Sequence, residues 1–393
     1  MAPMFMRLLL IWLWKTAFCK VRAPSENAGL SESFLQLQLE KLQGTAAIRE
    51  KKDSLKVAVM IVAPKGLAQS APGWHDAFAV LAHSVQEAAR KSSHTMQLMA
   101  LIPDTLPEQE KEKAAFEKLG IQFKSVPVPV PLSQVVNRAG AEVLGNALGE
   151  YEQLKFYGAA WEDYDRAVVM DADVIFLKPI DELLEATTAP YAASGVYDHE
   201  MDLPSSRFPP INSGFFVVVP NKTDFDKLVS IYRRGDIGGN GWDASGTGWT
   251  YGTGSQGILS YFYNQVRPDA DGFSTDSPIK GIDYPGMSWT KQPASSRFLP
   301  QDRSVYNVID TAPLQEALAK GSTDVDRVSV FHFAGGSCPK PWTCVHRDGD
   351  DLCDVMTQRW WDLRSEVAAG QGLDTSVKQC SKDGYVPLGL PLS

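Results

Sequence analysis

The sequence lacks a long apolar run and a block of basic residues. It has 393 residues, of which 44% are hydrophobic, and a formal net charge of −9 at pH 7. The N-terminal apolar run from Leu8 to Trp14 is far shorter than the roughly 20 residues that span a bilayer. The acidic balance disfavours a nucleic-acid partner. The composition therefore predicts a globular protein with a large core, which must bind any anionic ligand through a local site.

Two nucleotide-binding motifs are also missing. Neither G-x-G-x-x-G nor G-x-x-x-x-G-K follows the first predicted strand, which argues against nicotinamide and P-loop chemistry. Strand patterns (LKVAVMIVAP, TMQLMALIP, INSGFFVVVP) alternate with helical patterns (HDAFAVLAHSVQEAARK, PEQEKEKAAFEKLG, EYEQLKFYGAAWED). This alternation predicts an α/β fold with a mixed, mostly parallel sheet and helices on both faces. A ligand site is expected at the carboxyl ends of the strands.

Cysteine is scarce and is concentrated late in the chain. Cys19 lies in the N-terminal region, and the other four are Cys338, Cys344, Cys353 and Cys380. An even, clustered set predicts two disulfides in an oxidising compartment, with three pairings open. No C-x-x-C pair is present, so a zinc site is the weaker alternative.

Composition predicts four segments. They are a signal peptide or short anchor at 1–23, a polar stem at 24–55, a folded α/β domain at 56–365, and a C-terminal tail at 366–393 tied by a disulfide. The sequon Asn221-Lys222-Thr223 suits a lumenal surface turn. These features predict a protein of the secretory pathway, in the ER or Golgi lumen, or a secreted one.

The stretch YDRAVVMDADVIFLKP places Asp171 and Asp173 inside an apolar run. In a strand, residues two apart face the same side, so the two carboxylates would repel each other unless a cation lay between them. A hard divalent ion such as Mn²⁺ or Mg²⁺ would relieve the repulsion and could hold a diphosphate. The alternative is a turn or capping pair where a strand ends.

Four blocks together resemble the glycogenin-like family-8 glycosyltransferases. In order they are LKFYGAAWEDYDRAVVMDADVIFLKPIDELLE, INSGFFVVVP, SQGILSYFY and FHFAGGSCPKPW, between about Val57 and Trp342. The resemblance implies a single GT-A (Rossmann-like) domain over residues 56–365, a UDP-sugar donor and Mn²⁺, with Mg²⁺ as the alternative ion. It also implies transfer of a hexose or pentose to a hydroxyl of a glycan or glycoprotein, with retention at the anomeric carbon.

The resemblance also implies roles for individual residues. The implied metal ligands are Asp171, Asp173 and His332. Residues implied to bind the donor are Lys155, Asn212, Ser213, Gly214, Gly335 and Lys340. Gln256 is implied to lie near the reacting face of the sugar. A histidine after the apolar VSVF run suits Mn²⁺ better than Mg²⁺, whereas a lone histidine there is otherwise a core residue.

The sequence departs from the family pattern at the position before Gln256, where the family has an acid and this chain has Ser255. Asp243, in the glycine-rich stretch upstream, is the candidate catalytic acid in its place. Two rival functions follow: a lumenal carbohydrate-binding protein that has lost turnover, and a nucleotidyltransferase, which the missing glycine-rich basic loop disfavours.

A second departure is the longer spacing from His332 to Lys340, where Cys338 and Pro339 are inserted. A disulfide at Cys338 would brace this loop and would suit a lumenal variant of the family.

Overall fold

A computed structural model of the protein describes residues 54–63, 65–67, 72–147, 150–197, 211–238, 241–243, 254–267, 296–309, 325–334, 338–345 and 352–390. The segment predicted as signal peptide or anchor and nearly all of the predicted stem lie outside these residues. The described residues all belong to one compact unit that starts at Ser54. In the part of the chain that is described, no helix is long and apolar enough to cross a membrane.

The strands, in chain order, are β1 Lys56–Val62, β2 Thr95–Pro103, β3 Gln122–Val126, β4 Arg166–Met170, β5 Val174–Phe176, β6 Ala193–Tyr197, β7 Ile211–Val218, β8 Ile237–Gly238, β9 Gly241–Trp242, β10 Phe298–Pro300 and β11 Val330–His332. The α-helices are α1 Pro72–Lys91, α2 Gln109–Lys118, α3 Arg138–Ala147, α4 Asp181–Ala186, α5 Lys222–Arg234, α6 Ser255–Tyr261 and α7 Leu352–Gly370. A 3₁₀ helix, Glu150–Ala159, stands where the sequence predicted a helix before β4.

Seven strands form the main sheet in the order β10-β6-β7-β4-β1-β2-β3. Strand β1 pairs in parallel with both β2 and β4, and β2 pairs in parallel with β3. Strand β7 runs antiparallel to its neighbours β4 and β6, while β10 is parallel to β6. The sheet is therefore mixed and mostly parallel, as predicted.

The alternation of side chains along β1 divides the interior into two cores. Val59 belongs to the core that contains Phe78 of α1, whereas Met60 belongs to the core that contains Leu144 of α3 and Leu228 of α5. Because successive side chains of a strand point to opposite faces, this division places helices on both faces of the sheet. The predicted α/β fold is confirmed.

A short antiparallel pair, β5 with β11, lies beside the main sheet. Ile175 of β5 and Phe331 of β11 pack into a third core with three tryptophans, Trp342, Trp360 and Trp361, the last two from α7. This helix is anchored by Arg364, whose Nε lies 3.0 Å from the buried Oδ2 of Asp76 in α1. The C-terminal part of the chain is thus packed against the start of the fold.

The structure resolves the cysteine pairing as Cys338–Cys353 and Cys344–Cys380. The prediction of two disulfides among the four late cysteines is confirmed, and the second bridge ties down the C-terminal segment. Helix α7 continues to Gly370, past the predicted segment boundary between residues 365 and 366.

Candidate active site

Asp171 and Asp173 lie in a turn, and the prediction that they occupy one continuous strand is wrong. Strand β4 ends at Met170 and β5 begins at Val174. The apolar residues on both sides hid the break, because each flank is itself a short buried strand. The turn lies at the carboxyl end of β4, where ligands bind in open α/β sheets.

Neighbouring strands fix both ends of this turn and bring a histidine to it. The amide of Asp171 donates to the carbonyl of Gly214 in β7 at 3.0 Å, and the amide of Phe333 donates to the carbonyl of Asp173 at 2.9 Å. In the β5–β11 pair, His332 stands opposite Val174, immediately after Asp173. One ligand atom from each of Asp171, Asp173 and His332 therefore falls within 4.8 Å of the other two. The structure therefore brings the three predicted side chains together.

The chemistry of this cluster fits a divalent cation. Nδ1 of His332 lies 3.1 Å from Oδ1 of Asn307. An amide oxygen only accepts, so in the neutral imidazole Nδ1 donates and Nε2 keeps its lone pair. That nitrogen lies 3.4 Å from Oδ1 of Asp173, which is buried and accepts no hydrogen bond from the described residues. Two facing acceptors, one of them anionic, form a site that a cation would satisfy.

The two carboxylates of the cluster differ electrostatically. Burial raises the pKa of Asp171, and Lys155 opposes that rise only in part. Burial would also raise the pKa of Asp173, but its interactions with His332 and Lys340 outweigh this effect and hold the pKa below its usual value. Lys155 and Lys340 therefore place positive charge next to these two acids.

Gly214 provides the space in which the imidazole of His332 lies. A Cβ at position 214 would lie 2.7 Å from Nδ1 and 2.9 Å from Nε2 of His332, closer than nonbonded atoms approach. Asn212 supports the same ring from a distance, because its Oδ1 accepts from Nδ2 of Asn307 at 2.8 Å and from the amide of Gly214 at 2.9 Å. Gly214 and Asn212 were both predicted to line the donor site. In the structure, Gly214 lies against the ring of His332, and Asn212 bonds to the asparagine that holds this ring.

Lys155 comes from the 3₁₀ helix that precedes β4, and it is almost fully buried. Its Nζ lies 2.8 Å from Oδ1 of Asp171 and 3.0 Å from Oε2 of Glu152, and it donates to Oγ of Ser213 at 3.4 Å. Burial alone would lower the pKa of Lys155, but the carboxylates of Asp171 and Glu152 outweigh this and raise it. The structure thus keeps a permanent positive charge next to the acidic turn.

Lys340 contacts the other carboxylate of the cluster, that of Asp173, and is more open to solvent than Lys155. Its Nζ forms an ion pair with Oδ2 of Asp173, donates to the carbonyl of Phe333 at 3.3 Å, and lies 5.8 Å from the centre of the Trp74 ring. The two disulfides begin at Cys338 and Cys344, on either side of Lys340. The inserted cysteine therefore belongs to a short segment that is braced at both ends.

Ser255 starts helix α6 and contacts a carboxylate. Its hydroxyl donates to Oε2 of Glu152 at 2.6 Å and lies 2.8 Å from Oγ of Ser213. Burial would raise the pKa of Glu152, but Lys155 and the Ser255 hydroxyl lower it overall. The position at which the family resemblance implies an acid thus bears a hydroxyl bonded to an acid from another element.

The other predicted residues lie in different surroundings. Gln256 is the second residue of α6, next to Ser255. Asp243 is paired with Arg234 at 2.8 Å and accepts from the hydroxyl of Tyr261 at 2.7 Å. Within the described residues, these contacts of Asp243 do not include the acidic turn. The catalytic role of Asp243 therefore stays a prediction. Gly335 lies outside the described residues.

Two polar residues of the site were not predicted from the sequence. Asn307 is fully buried, has a backbone φ of 50°, and holds His332. Glu152 lies three residues before Lys155 in the 3₁₀ helix and forms an ion pair with it. Neither residue lies in a recognisable sequence motif. Asn307 is identified by its contact with His332, and Glu152 by its contacts with Lys155 in the same 3₁₀ helix and with Ser255 far along the chain.

No protein-family model matches this chain. In sequence it is similar to glycogenin of Cryptococcus neoformans var. grubii, with 27% identity over 186 residues. This match covers 46% of the chain but only 16% of the relative's length. The similarity agrees with the resemblance to glycogenin-like glycosyltransferases seen in the motifs.

Among solved structures, glycosyltransferases are similar to this chain at low sequence identity. The galactosyltransferase LgtC, in complex with donor and acceptor sugar analogues, matches with 15% identity and a TM-score of 0.44, covering 79% of this chain and 95% of LgtC. Mouse xyloside xylosyltransferase 1 matches with 13% identity and a TM-score of 0.39, covering 73% of this chain and 99% of that protein.

Proposed function

We propose that this protein is a glycosyltransferase that moves a hexose or pentose from a UDP-sugar to a hydroxyl of a glycan or glycoprotein acceptor. The observation that supports it most is the cluster of Asp171, Asp173 and His332 between two lysines. The cluster lies at the carboxyl end of β4, where the site of such a sheet is expected. The similarity to glycogenin adds support to the reaction class.

The residues that would hold the metal are the two carboxylates and Nε2 of His332. A mixed oxygen and nitrogen donor set suits Mn²⁺, with Mg²⁺ as the alternative. When bound, the ion would supply positive charge to the diphosphate of the donor and to the leaving UDP. Asn307 contributes by keeping the lone pair of Nε2 directed at the cluster.

Lys340 is the residue proposed to bind the donor phosphates. Its ammonium is about a quarter exposed and is already attached to Asp173, so a diphosphate entering the site would offer it a second anionic partner. As the bond between the anomeric carbon and UDP breaks, this fixed positive charge stabilises the negative charge on the leaving group. The two flanking disulfides limit how far the lysine can move.

The acceptor hydroxyl is proposed to attack on the face that UDP leaves, which preserves the anomeric configuration. The bond from the acceptor oxygen to the anomeric carbon forms as the bond to the UDP oxygen breaks, and the hydroxyl proton passes to that departing phosphate oxygen. Gln256, beside Ser255 in α6, is proposed to lie along the reacting face of the sugar. Neither role requires a covalent intermediate with an acidic nucleophile.

The proposed location is the lumen of the secretory pathway or the exterior of the cell. Two disulfides are typical of proteins in oxidising compartments. Titration of free thiols in protein isolated from its native compartment should find both pairs oxidised; reduced Cys344 and Cys380 would contradict this location.

Calorimetry with UDP and MnCl₂, followed by a screen of UDP-glucose, UDP-galactose, UDP-xylose and UDP-glucuronate, tests the proposal. We expect Mn²⁺-dependent UDP binding and hydrolysis of at least one donor. Binding without hydrolysis or transfer to added glycans would identify a binding protein instead. Preference for a nucleoside triphosphate over every UDP-sugar would identify a nucleotidyltransferase.

A further inference from the structure

Glu152 and Lys155 form an ion pair that the local helix type favours. They are three residues apart in the 3₁₀ helix Glu150–Ala159, and side chains at this spacing eclipse each other along a 3₁₀ helix. The atoms Oε2 of Glu152 and Nζ of Lys155 lie 3.0 Å apart. Since Lys155 also contacts Asp171 at 2.8 Å, the pair joins Glu152 to the acidic turn through one buried ammonium.

A second element reaches the same carboxylate. The hydroxyl of Ser255, at the start of α6, donates to Oε2 of Glu152 at 2.6 Å. Ser255 itself is only 3% exposed, whereas the side chain of Glu152 is 26% exposed. Of these two side chains, only the glutamate offers a charged group that a ligand can reach.

The two contacts leave one carboxylate oxygen for a ligand. Both the ammonium of Lys155 and the hydroxyl of Ser255 use Oε2, so within the described residues Oε1 is left as a hydrogen-bond acceptor. A carboxylate held rigidly through one oxygen, and open at the other, is suited to accept a hydrogen bond from a sugar hydroxyl. Asp243 is also held through one oxygen, but its partners are Arg234 and Tyr261 rather than a lysine that contacts Asp171.

We propose that Glu152 supplies the acidic group of the donor-sugar site, replacing an acid at position 255. Its Oε1 accepts a hydrogen bond from a hydroxyl of the transferred sugar, while Oε2 holds Lys155 in place. The serine at 255 then serves to orient this carboxylate. The inference rests on the proposed function and narrows it, because it assigns recognition of the sugar, rather than of UDP, to one residue.

The test compares Glu152→Gln, Glu152→Ser and the double variant Glu152→Ser/Ser255→Asp, which moves the carboxylate to position 255. For Glu152→Gln we expect kcat/KM for the UDP-sugar to fall about 10- to 100-fold, the range for losing one hydrogen bond to a charged group. The Kd for UDP with MnCl₂ should change less than about threefold, since UDP lacks the transferred sugar that Glu152 is proposed to contact. Glu150→Gln is the matched control, because its carboxylate accepts from the amide of Leu132 instead.

The double variant guards against a purely structural effect. It should recover at least about tenfold of the kcat/KM lost in Glu152→Ser, because it restores one carboxylate to the site. Kinetic constants of Glu152→Gln within threefold of the unaltered chain would overturn the inference, and so would a folded double variant no more active than Glu152→Ser. If the unaltered chain binds UDP and cleaves a UDP-sugar, and the variants have the same kinetic constants as the unaltered chain, only the role of Glu152 fails. If the unaltered chain does neither, the proposed function fails and the inference with it.

Discussion

Replacing Gly214 with alanine is expected to displace the imidazole of His332 and to weaken metal binding. Gly214 lies in β7, and its backbone runs directly beneath the histidine ring. The ring cannot move away freely, because it is almost fully buried and bonded to Asn307. The substitution adds a single carbon and leaves every proposed metal ligand in the sequence.

The size of the effect follows from the distances. The new Cβ would lie 2.7 Å from Nδ1 and 2.9 Å from Nε2, whereas nonbonded heavy atoms prefer about 3.5 to 4.0 Å. Because Nδ1 must retreat from 2.7 Å to about 3.5 Å and Cε1 lies closer still, the ring must shift by at least about 0.8 Å, which is several times the roughly 0.2 Å tolerance of a metal–ligand distance. A loss of about 10- to 100-fold in Mn²⁺ affinity is expected, the range seen when ligand orientation is disturbed. This corresponds to about 1.4 to 2.8 kcal/mol.

Isothermal titration with MnCl₂, with and without UDP, measures this change. Gly195→Ala is the control, because Gly195 is a buried glycine of the adjacent strand β6 whose added Cβ would meet its nearest neighbours at 3.2 and 3.3 Å. This variant should keep the Mn²⁺ affinity of the unaltered chain, and thermal unfolding should show that both variants fold. Equal Mn²⁺ affinity of Gly214→Ala and the unaltered chain would refute the placement of His332 in the metal site.

Three further outcomes are expected. Asn307→Ala should lower Mn²⁺ affinity about 10- to 100-fold by releasing the ring it holds, and unchanged affinity in titration calorimetry would contradict that role. Asp76→Asn should lower the free energy of unfolding in urea by about 3 to 5 kcal/mol, because it leaves the buried guanidinium of Arg364 without its carboxylate partner. Asp226→Asn, in an exposed ion pair, should change it by under about 1 kcal/mol, and similar losses in the two variants would be evidence against the role of the buried pair. The double variant Cys344→Ser/Cys380→Ser removes the disulfide that spans 36 residues, and it should lower the free energy of unfolding by about 3 to 4 kcal/mol. It should also weaken UDP binding, and an unchanged Kd for UDP would show that the disulfide does not brace the donor site.

The fold was predictable because its strands and helices are marked locally. Strand β2 coincides with the predicted TMQLMALIP, and the charged helix α2 ends just before Gly120, which adopts a φ of 71°. Apolar periodicity and glycine both act over a few residues, so a single sequence suffices to read them. The break between β4 and β5 was missed because the residues next to it on both sides, 167–170 and 174–176, are apolar and buried.

The site was predictable only where its residues sit in motifs. Asp171 and Asp173 can be identified from the sequence because they are charged residues within an apolar run. Asn307 and Glu152 can be identified only from the partners that folding brings close to them. The same limit applied to the cysteines, whose number predicts two bridges but whose pairing depends on where α7 packs. Long-range contacts of this kind leave no local pattern.

The central claim is a metal-dependent UDP-sugar site built on the acidic turn. It is tested most directly by measuring UDP release from the preferred UDP-sugar, with and without MnCl₂, in the unaltered chain, in Asp173→Ala and in the surface control Asp226→Ala. We expect Mn²⁺-dependent release by the unaltered chain and the control, and a loss of at least about 100-fold in Asp173→Ala, because a ligand and the partner of Lys340 are removed together. Undiminished release by folded Asp173→Ala in saturating MnCl₂, or release by the unaltered chain that is equal without any divalent ion, would contradict the account.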